Sequence, residues 1–165
     1  MKDLRGYILK KLPLKLLQET AYRHDLDWQL VAAICYHESG CNPYAVRYEP
    51  KYRWLFRTAQ FARKLGVTEL TERKGQKHSY GLMQVMGSVA RERGFHSYFP
   101  ELFQFDKNLY YGCKHLSILK SRWLTLSDYV SAYNQGSPRL GPDGKYWNQS
   151  YVNRILELKD IVTNA

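Results

Sequence analysis

Apolar residues recur at helical spacing along most of the chain, most clearly in residues 28–41. Offsets of three and four return to the same side of a helix, so this segment places four apolar side chains on one face: Leu30, Val31, Ile34 and Cys35. Glu38 continues the same face, Asp27 is suited to an N-cap, and Gly40 is suited to a helix end. The pattern therefore predicts a helix whose apolar stripe ends in a carboxylate.

The same spacing predicts further helices, separated by glycine, proline and polar breaks. They cover residues 14–24, 52–65, 82–93, 106–123, 127–133 and 147–161, with Asp106 as a cap and a helix end at 134–136. Residues 44–50 are predicted to be extended or irregular, and 71–79 and 137–146 to be surface loops. No segment alternates strictly between apolar and polar residues, as a half-buried strand does. The chain is therefore predicted to be mostly α-helical.

The composition is that of a globular domain with a basic surface. The chain has 165 residues, of which 25 are Lys or Arg and 15 are Asp or Glu, giving a net charge of +10. Such a surface attracts polyanions, which include nucleic acid, anionic lipid and bacterial cell wall. The basic residues are scattered and form no dense stripe on a helix, so we do not expect nucleic acid as the partner. The 14 Tyr and 4 Trp residues suit a cleft that stacks on flat ligands such as sugar rings or bases.

Three cysteines, Cys35, Cys41 and Cys113, are an odd number and offer no disulfide framework, so at most one pair is expected. Cys35, His37 and Cys41 lack the paired spacing of a zinc site, so neither a metal nor another cofactor is predicted. The N-terminus has no apolar run of signal-peptide length, and no stretch is long enough to span a membrane. Either the protein is released from the cytoplasm by other means, or a leader has been lost.

The position of Glu38 in the last helical turn is unfavourable for a charged carboxylate. The exposed carbonyls there carry the negative end of the helix dipole, and the apolar face removes water. Together these effects are expected to raise the pKa of Glu38 from about 4.3 toward roughly 6, so that it donates a proton near neutral pH. The alternative is a glutamate that turns to solvent or pairs with a lysine, as most helical glutamates do.

Four short motifs follow one another along the chain. They are Glu38-Ser39, Gly81-Leu82-Met83-Gln84, Ala132-Tyr133-Asn134 followed by Gly136, and Tyr151-Val152. Their order resembles that of the soluble lytic transglycosylase (SLT domain) and goose-type lysozyme families. Those families share a lysozyme-like helical fold and cleave the glycan strands of peptidoglycan. The resemblance covers residues 38–152 and implies a lysozyme-like fold for this chain.

The resemblance implies roles for individual residues. Glu38 matches the catalytic general acid, and Ser39 matches the residue that accompanies it. Substrate-binding roles are implied for six more residues. Gly81, Met83 and Gln84 match the cleft wall. Tyr133 and Asn134 match the floor beside the acid, and Tyr151 matches the residue that contacts the acetamido group. Each has a structural alternative, since Met83 can be a core residue, Gln84 and Asn134 can be caps, and the two tyrosines can be packing residues.

Two mechanisms remain open. A transglycosylase needs one carboxyl group, because the acetamido group and the 6-hydroxyl of the substrate complete the reaction as a 1,6-anhydro product. An inverting hydrolase needs a second carboxylate roughly 6.5 to 9.5 Å away to activate water. Glu49 is the candidate base, and a salt bridge with Arg47 or Arg53 is the alternative. Goose-type lysozymes also have an acidic residue after the Met-Gln stretch, where this chain has Val85 and Met86.

We therefore predict a single lysozyme-like catalytic domain over residues 1–165, with an N-terminal helical segment at 1–26 and an insert at 42–79 that forms one cleft wall. The expected partner is the peptidoglycan glycan strand, and we expect a monomer without stable membrane insertion. The site of action would be the cell wall, reached from the periplasm or by phage release. A non-catalytic module that binds cell wall or nucleic acid is the competing hypothesis.

Overall fold

Most of the chain is helical, as predicted. The computed structural model describes residues 3–164. The helices in this range are α1 (Leu4–Lys11), α2 (Leu14–Arg23), α3 (Trp28–Ser39), α4 (Thr58–Leu65), α5 (Glu69–Gln76), α6 (Gly87–Glu92), α7 (Phe105–Arg122), α8 (Leu126–Gln135) and α9 (Gln149–Asn164). A short 3-10 helix covers Phe99–Phe103. None of the helices in the described part of the chain is long and apolar enough to cross a membrane.

A small antiparallel sheet is the main departure from the predicted fold. It consists of β1 (Val46–Tyr48), β2 (His78–Tyr80) and β3 (Val85–Met86), in the order β1-β2-β3. Tyr80 pairs with Val46 on one side and with Val85 on the other. The sequence pattern did not reveal these strands, because strands of two or three residues are too short to show alternation.

Residues 71–79 are the second correction, since they were predicted to be a loop. They contain most of α5 and the start of β2. Thr68 caps α5 by accepting a hydrogen bond from the Thr71 N–H, and Glu69 and Glu72 occupy its first turn. The buried residues of α5 are Glu72 and Gln76, which are polar. This helix therefore has no apolar stripe that the sequence pattern would detect.

Two predicted helices begin later than expected. The helix predicted over 52–65 begins only at Thr58, and the helix predicted over 82–93 begins only at Gly87. Gln76 binds both backbone groups of Phe56, at 2.7 Å and 2.8 Å, so those groups are not available to a helix. Asp106 lies inside α7 and does not cap it. The other helix ends agree with the predictions to within a few residues.

The chain forms two compact units, and the boundaries between them fall within α3, just before Glu38, and within α7, just after Gly112. The first unit contains the residues up to His37 and those from Cys113 onward. Its described interior is made of apolar helix faces, which include Ile8, Leu17, Ile34, Leu116 and Ile155. The N-terminal helix α1 is held to α9 by a hydrogen bond from Arg5 Nε to the Val162 carbonyl, at 3.0 Å.

The second unit, Glu38–Gly112, combines the sheet with α4, α5, α6 and the 3-10 helix. Its interior holds several fully buried polar side chains, namely Glu72, Gln76, Arg91 and Asn108. Arg91 forms two hydrogen bonds to the Glu72 carboxylate, at 2.8 Å and 3.0 Å. The single catalytic domain, its N-terminal segment and the cleft wall at 42–79 stay predictions, and residues 1, 2 and 165 lie outside the described residues.

Candidate active site

Glu38 lies in the last turn of α3, as predicted. The apolar stripe that precedes it is fully buried, and Glu38 itself is half-buried. The helix ends at Ser39, and Gly40 adopts a positive φ of 62°, so the predicted helix end is confirmed. The structure thus places a partly desolvated carboxyl group at the C-terminal end of a buried helix. Its role as general acid stays a prediction at this point.

Ser39 connects Glu38 to the second sequence motif. The Ser39 Oγ donates a hydrogen bond of 2.8 Å to the carbonyl oxygen of Leu82, 43 residues further along the chain. Leu82 is fully buried in the turn that joins β2 to β3. The Glu38-Ser39 and Gly81-to-Gln84 motifs therefore meet in the structure. Ser39 holds the end of α3 against this turn.

Gln84 stabilises the turn with its side-chain amide. Its Nε2 donates to the carbonyls of Ala45 and Gly81, both at 3.0 Å, and its Oε1 accepts from Ser79 Oγ at 2.8 Å. Its backbone has a φ of 47°, which is uncommon for a residue with a side chain and marks a fixed conformation. Both amide protons of Gln84 are used within the protein. The predicted sugar contact stays a prediction, and Gln84 supports the turn in addition.

Position 81 requires a glycine, because the backbone there packs closely against Asn108. It has a φ of 69°, and a Cβ atom at this position would lie 2.4 Å from Asn108 Nδ2. The Asn108 Nδ2 donates to the carbonyls of Tyr80 and Leu102, at 2.7 Å and 2.8 Å, and its Oδ1 accepts from the Met83 N–H at 2.9 Å. The space beside the Gly81 Cα is therefore occupied by this side chain, and the substrate contact of Gly81 stays a prediction.

Asn108 is the residue that the sequence analysis missed. It is fully buried and lies on α7 beside apolar residues such as Leu109. A buried amide among apolar helix positions needs hydrogen-bond partners, and here all three partners belong to the segment around the turn or to the 3-10 helix. The available signal was one polar residue within an apolar helix face. That signal does not say which backbone groups the residue holds.

Met83 has a fully buried side chain. It packs against α7 at Gly112, where an added Cβ atom would lie 2.3 Å from the Met83 sulfur. This matches the alternative in which Met83 is a core residue. The sugar contact that the resemblance implies stays a prediction.

Glu49 follows β1 and forms a salt bridge with Arg47, in which Nε and Oε1 are 2.5 Å apart. Both side chains are substantially exposed to solvent. The backbone N–H of Glu49 donates to the Lys77 carbonyl at 2.8 Å, which fixes its position beside β2. Of the two roles considered for Glu49, the salt bridge with Arg47 is present in the structure. The role of catalytic base stays a prediction.

Tyr133 and Asn134 lie near the C-terminal end of α8, in the first unit. Tyr133 is half-buried, and its ring centroid is 5.6 Å from that of His115. Asn134 is exposed, and its Oδ1 accepts a hydrogen bond of 3.0 Å from Asn148 Nδ2. Asn148 also binds Ser131 through two hydrogen bonds, so the segment before α9 is held against α8. The sugar contacts of Tyr133 and Asn134 stay predictions.

Tyr151, also in the first unit, is almost completely buried near the start of α9. Its ring meets the His37 ring edge to face, with centroids 5.0 Å apart. Partial burial lowers the pKa of His37 below its ordinary value, and the positive charge of Arg154 lowers it further. The neutral form of His37, the residue directly before Glu38, is therefore favoured. The acetamido contact of Tyr151 stays a prediction.

The cysteines form no disulfide within the described residues. Cys35, Cys41 and Cys113 are all buried thiols. Burial raises the pKa of the Cys113 thiol to about 12, so it is kept in the unreactive protonated form. Among residues 3–164, no group of three or more His, Cys, Asp or Glu side chains is arranged to hold a metal ion.

Comparison with known proteins assigns the chain to a family. The family model of the transglycosylase SLT domain matches residues 15–151, which is most of the chain. The chain belongs to the SLT domain family. The matched range contains every candidate residue from Glu38 to Tyr151, and the predicted lysozyme-like helical fold is confirmed.

One curated relative of this SLT domain is the membrane-bound lytic murein transglycosylase F of Desulfosudis oleivorans. The two are 27% identical over 132 residues, which is 78% of this chain and 22% of the relative. The chain therefore spans about a fifth of the length of that protein. No solved structure matches the chain.

Proposed function

We propose that this SLT domain is a lytic transglycosylase, which cleaves the β-1,4 linkage between N-acetylmuramic acid and N-acetylglucosamine in peptidoglycan, with Glu38 as the general acid. The observation that most directly supports this proposal is the position of Glu38. It is half-buried at the end of a buried helix, and Ser39 joins that helix end to the Gly81-to-Gln84 turn. Membership of the SLT family supports the reaction, and so does the relative that is named a lytic murein transglycosylase.

The chemistry needs one proton donor at the leaving oxygen. Glu38 gives its proton to the glycosidic oxygen as the bond from that oxygen to the anomeric carbon breaks. The 6-hydroxyl of the same N-acetylmuramic acid then bonds to the anomeric carbon and returns its proton to the Glu38 carboxylate. The product ends in a 1,6-anhydro ring, and no water is consumed. One carboxyl group is enough for both proton transfers.

The surroundings of Glu49 favour this one-acid reaction over hydrolysis. An inverting hydrolase requires a second carboxylate free to take a proton from water. Glu49 is paired with the Arg47 guanidinium at 2.5 Å, so its carboxylate is already engaged in a contact within the protein. The inverting lysozyme with Glu49 as base is the alternative that the experiment has to exclude.

Replacement of Glu38 tests the proposal. Glu38→Gln keeps the size of the side chain and removes the transferable proton, so turnover on purified sacculi should fall by at least about 10²-fold. Circular dichroism and thermal unfolding should stay as in the wild type. Glu157→Gln, an exposed glutamate on α9, is the matched control and should retain full activity.

Three outcomes would contradict parts of this proposal. Full activity of Glu38→Gln would remove Glu38 from the mechanism. Loss of activity in Glu49→Gln, with the fold intact, would support the hydrolase with two carboxylates. A wild-type protein that binds sacculi and releases no soluble fragments would identify a non-catalytic wall-binding module.

The proposed substrate also sets the place of action. Peptidoglycan strands are the proposed partner, so the protein would act at the cell wall, from the periplasm or after phage release. A monomer is sufficient for the reaction, because the general acid and the residues matched to the family all come from one chain.

A further inference from the structure

A seven-residue segment between β1 and α4 alternates cationic and apolar side chains. It has the sequence Lys-Tyr-Arg-Trp-Leu-Phe-Arg at positions 51–57, and we call it the basic aromatic segment. Trp54 at its centre is 68% exposed. Lys51, Arg53 and Arg57 are also exposed, and Leu55 is half-exposed. The segment lies within the predicted cleft wall at 42–79, and the proposed reaction gives its side chains no chemical role.

The exposure of Trp54 is a fixed feature, because the segment is held on both sides of it. On one side, Tyr52 accepts a hydrogen bond of 2.9 Å from Ser88 Oγ. On the other side, the backbone of Phe56 forms two hydrogen bonds to the amide of Gln76, which is fully buried. The segment therefore presents an indole ring from a firmly anchored backbone. An exposed aromatic ring next to a second apolar side chain and flanked by cations is suited to contact with a partner.

The cations of the segment are available to a partner. Lys51, Arg53 and Arg57 take part in no salt bridge within residues 3–164. Residues 42–79 carry nine Lys or Arg against three Glu. All three of these glutamates are paired with an arginine: Glu49 with Arg47, Glu69 with Arg73, and Glu72 with Arg91. The remaining charge of this surface is therefore strongly positive.

A cavity of about 230 Å³ adjoins the segment and extends the positive surface along α4. Phe56 and Arg57 line it, and so does Lys64, about two turns after Arg57, which carries no salt bridge within the described residues. The one carboxylate that lines it, Glu92, is paired with Arg93 at 3.4 Å. The cavity has the charge and the size to receive a small anionic group such as a lipid phosphate.

We propose that the basic aromatic segment docks the protein on an anionic lipid surface. Trp54 and Leu55 would lie at the level of the lipid headgroups, where indole rings are favoured, and Lys51, Arg53 and Arg57 would contact the phosphates. A polyanion without bases would need the cations but would leave the indole uncovered, and a single-stranded nucleic acid would stack on the indole but leave Leu55 uncovered. An apolar centre flanked by cations is instead suited to a lipid interface. The proposal does not rest on the proposed lytic activity.

Binding to vesicles tests this proposal on the full chain. The protein should sediment with vesicles of phosphatidylcholine and phosphatidylglycerol in equal parts, and not with phosphatidylcholine alone. Trp54→Ala should weaken this binding by at least about fivefold, because the buried indole area is lost. Trp147→Ala is the matched control, since Trp147 is 69% exposed and lies outside the segment, and it should bind as the wild type does.

Removal of the three positive charges should weaken vesicle binding more than removal of the indole. Each lysine or arginine near an anionic bilayer contributes about fivefold in binding, so the triple variant Lys51→Gln, Arg53→Gln, Arg57→Gln should bind on the order of 100-fold more weakly. Trp54→Phe keeps an aromatic ring and should retain most of the binding. Thermal unfolding of every variant shows that the fold is kept. If one fails to fold, the blue shift of wild-type tryptophan fluorescence with anionic vesicles, absent in Trp54→Phe, provides the same test.

Several results would overturn the proposal. Trp54→Ala binding vesicles as well as the wild type would show that the indole has no contact with lipid. Tighter, Trp54-dependent binding to a single-stranded oligonucleotide would identify a polyanion as the partner. Displacement by inorganic phosphate, beyond that caused by chloride at equal ionic strength, would identify a free anion as the ligand. Glu38→Gln should bind vesicles like the wild type, so failure of the lytic proposal is distinguishable from failure of this one.

Discussion

The two units of the molecule are stabilised by different kinds of interior. In the first unit, helices pack through apolar faces around residues such as Leu17 and Ile155. In the second, short strands, turns and short helices are held by buried polar side chains, chiefly Asn108 and the Glu72–Arg91 pair. Apolar packing tolerates small errors in geometry, whereas a buried polar group requires its partners. The turn beside Glu38 therefore depends on a few polar residues.

The largest expected effect comes from Arg91→Ala in the second unit. It leaves the Glu72 carboxylate buried and without its guanidinium partner, so it should lower the free energy of unfolding by about 3–5 kcal/mol. Urea denaturation of the variant and the wild type measures the difference. Arg154→Ala in the first unit is the control, because its salt bridge with Glu157 is largely exposed and should contribute less than about 1 kcal/mol. Equal effects of the two variants would contradict the comparison.

Asn108→Ala should have the next largest effect. It removes three buried hydrogen bonds and leaves the Tyr80 and Leu102 carbonyls and the Met83 N–H without this partner, at a cost of about 2–4 kcal/mol. Lytic activity should fall as well, because the turn that binds Ser39 loses its support. Asn153→Ala, at an exposed asparagine on α9, should change stability by less than about 0.5 kcal/mol. An Asn108→Ala protein as stable and active as the wild type would show that Asn108 does not hold the turn.

The smallest expected effect is a pH dependence in the first unit. The pKa of His37 is lowered in the folded state, so the unfolded state binds a proton first as the pH falls below about 6.5. The stability that neutral His37 contributes is therefore present above about pH 6.5 and lost as the pH falls through the folded-state value. Nuclear magnetic resonance titration of His37 should give a midpoint below 6.5, and urea denaturation of His37→Gln should depend less on pH in this window. A midpoint above 6.5 would contradict this assignment.

The difference between the units also explains which parts of the fold could be predicted from the sequence. The helix α3 and the end of α8 at Gly136 follow from local signals, an apolar stripe and a glycine that adopts a positive φ. The sheet does not, because Val46 pairs with Tyr80 across 34 residues and each strand is very short. The polar helix α5 has no apolar stripe either. Non-local pairing and buried polar groups leave no periodic pattern in a single sequence.

In the candidate site, too, some features could be predicted from the sequence and others could not. Glu38 could be located from the sequence because it ends an apolar stripe, and its half-buried position agrees with that reasoning. The link from Ser39 to Leu82 and the three hydrogen bonds of Asn108 could not be located, because each joins distant parts of the chain. The motif residues Gly81 and Gln84 were recognised by resemblance, and the structure adds that both serve the geometry of the turn.

Mass spectrometry of the fragments released from purified sacculi tests the central claim most directly, because it reports which nucleophile completes the reaction after Glu38 has protonated the leaving oxygen. The account predicts muramic ends in the 1,6-anhydro form, one water molecule lighter than reducing ends, in the wild-type digest and at least about 10²-fold less of them with Glu38→Gln. Reducing muramic ends in the wild-type digest would contradict it and identify a hydrolase.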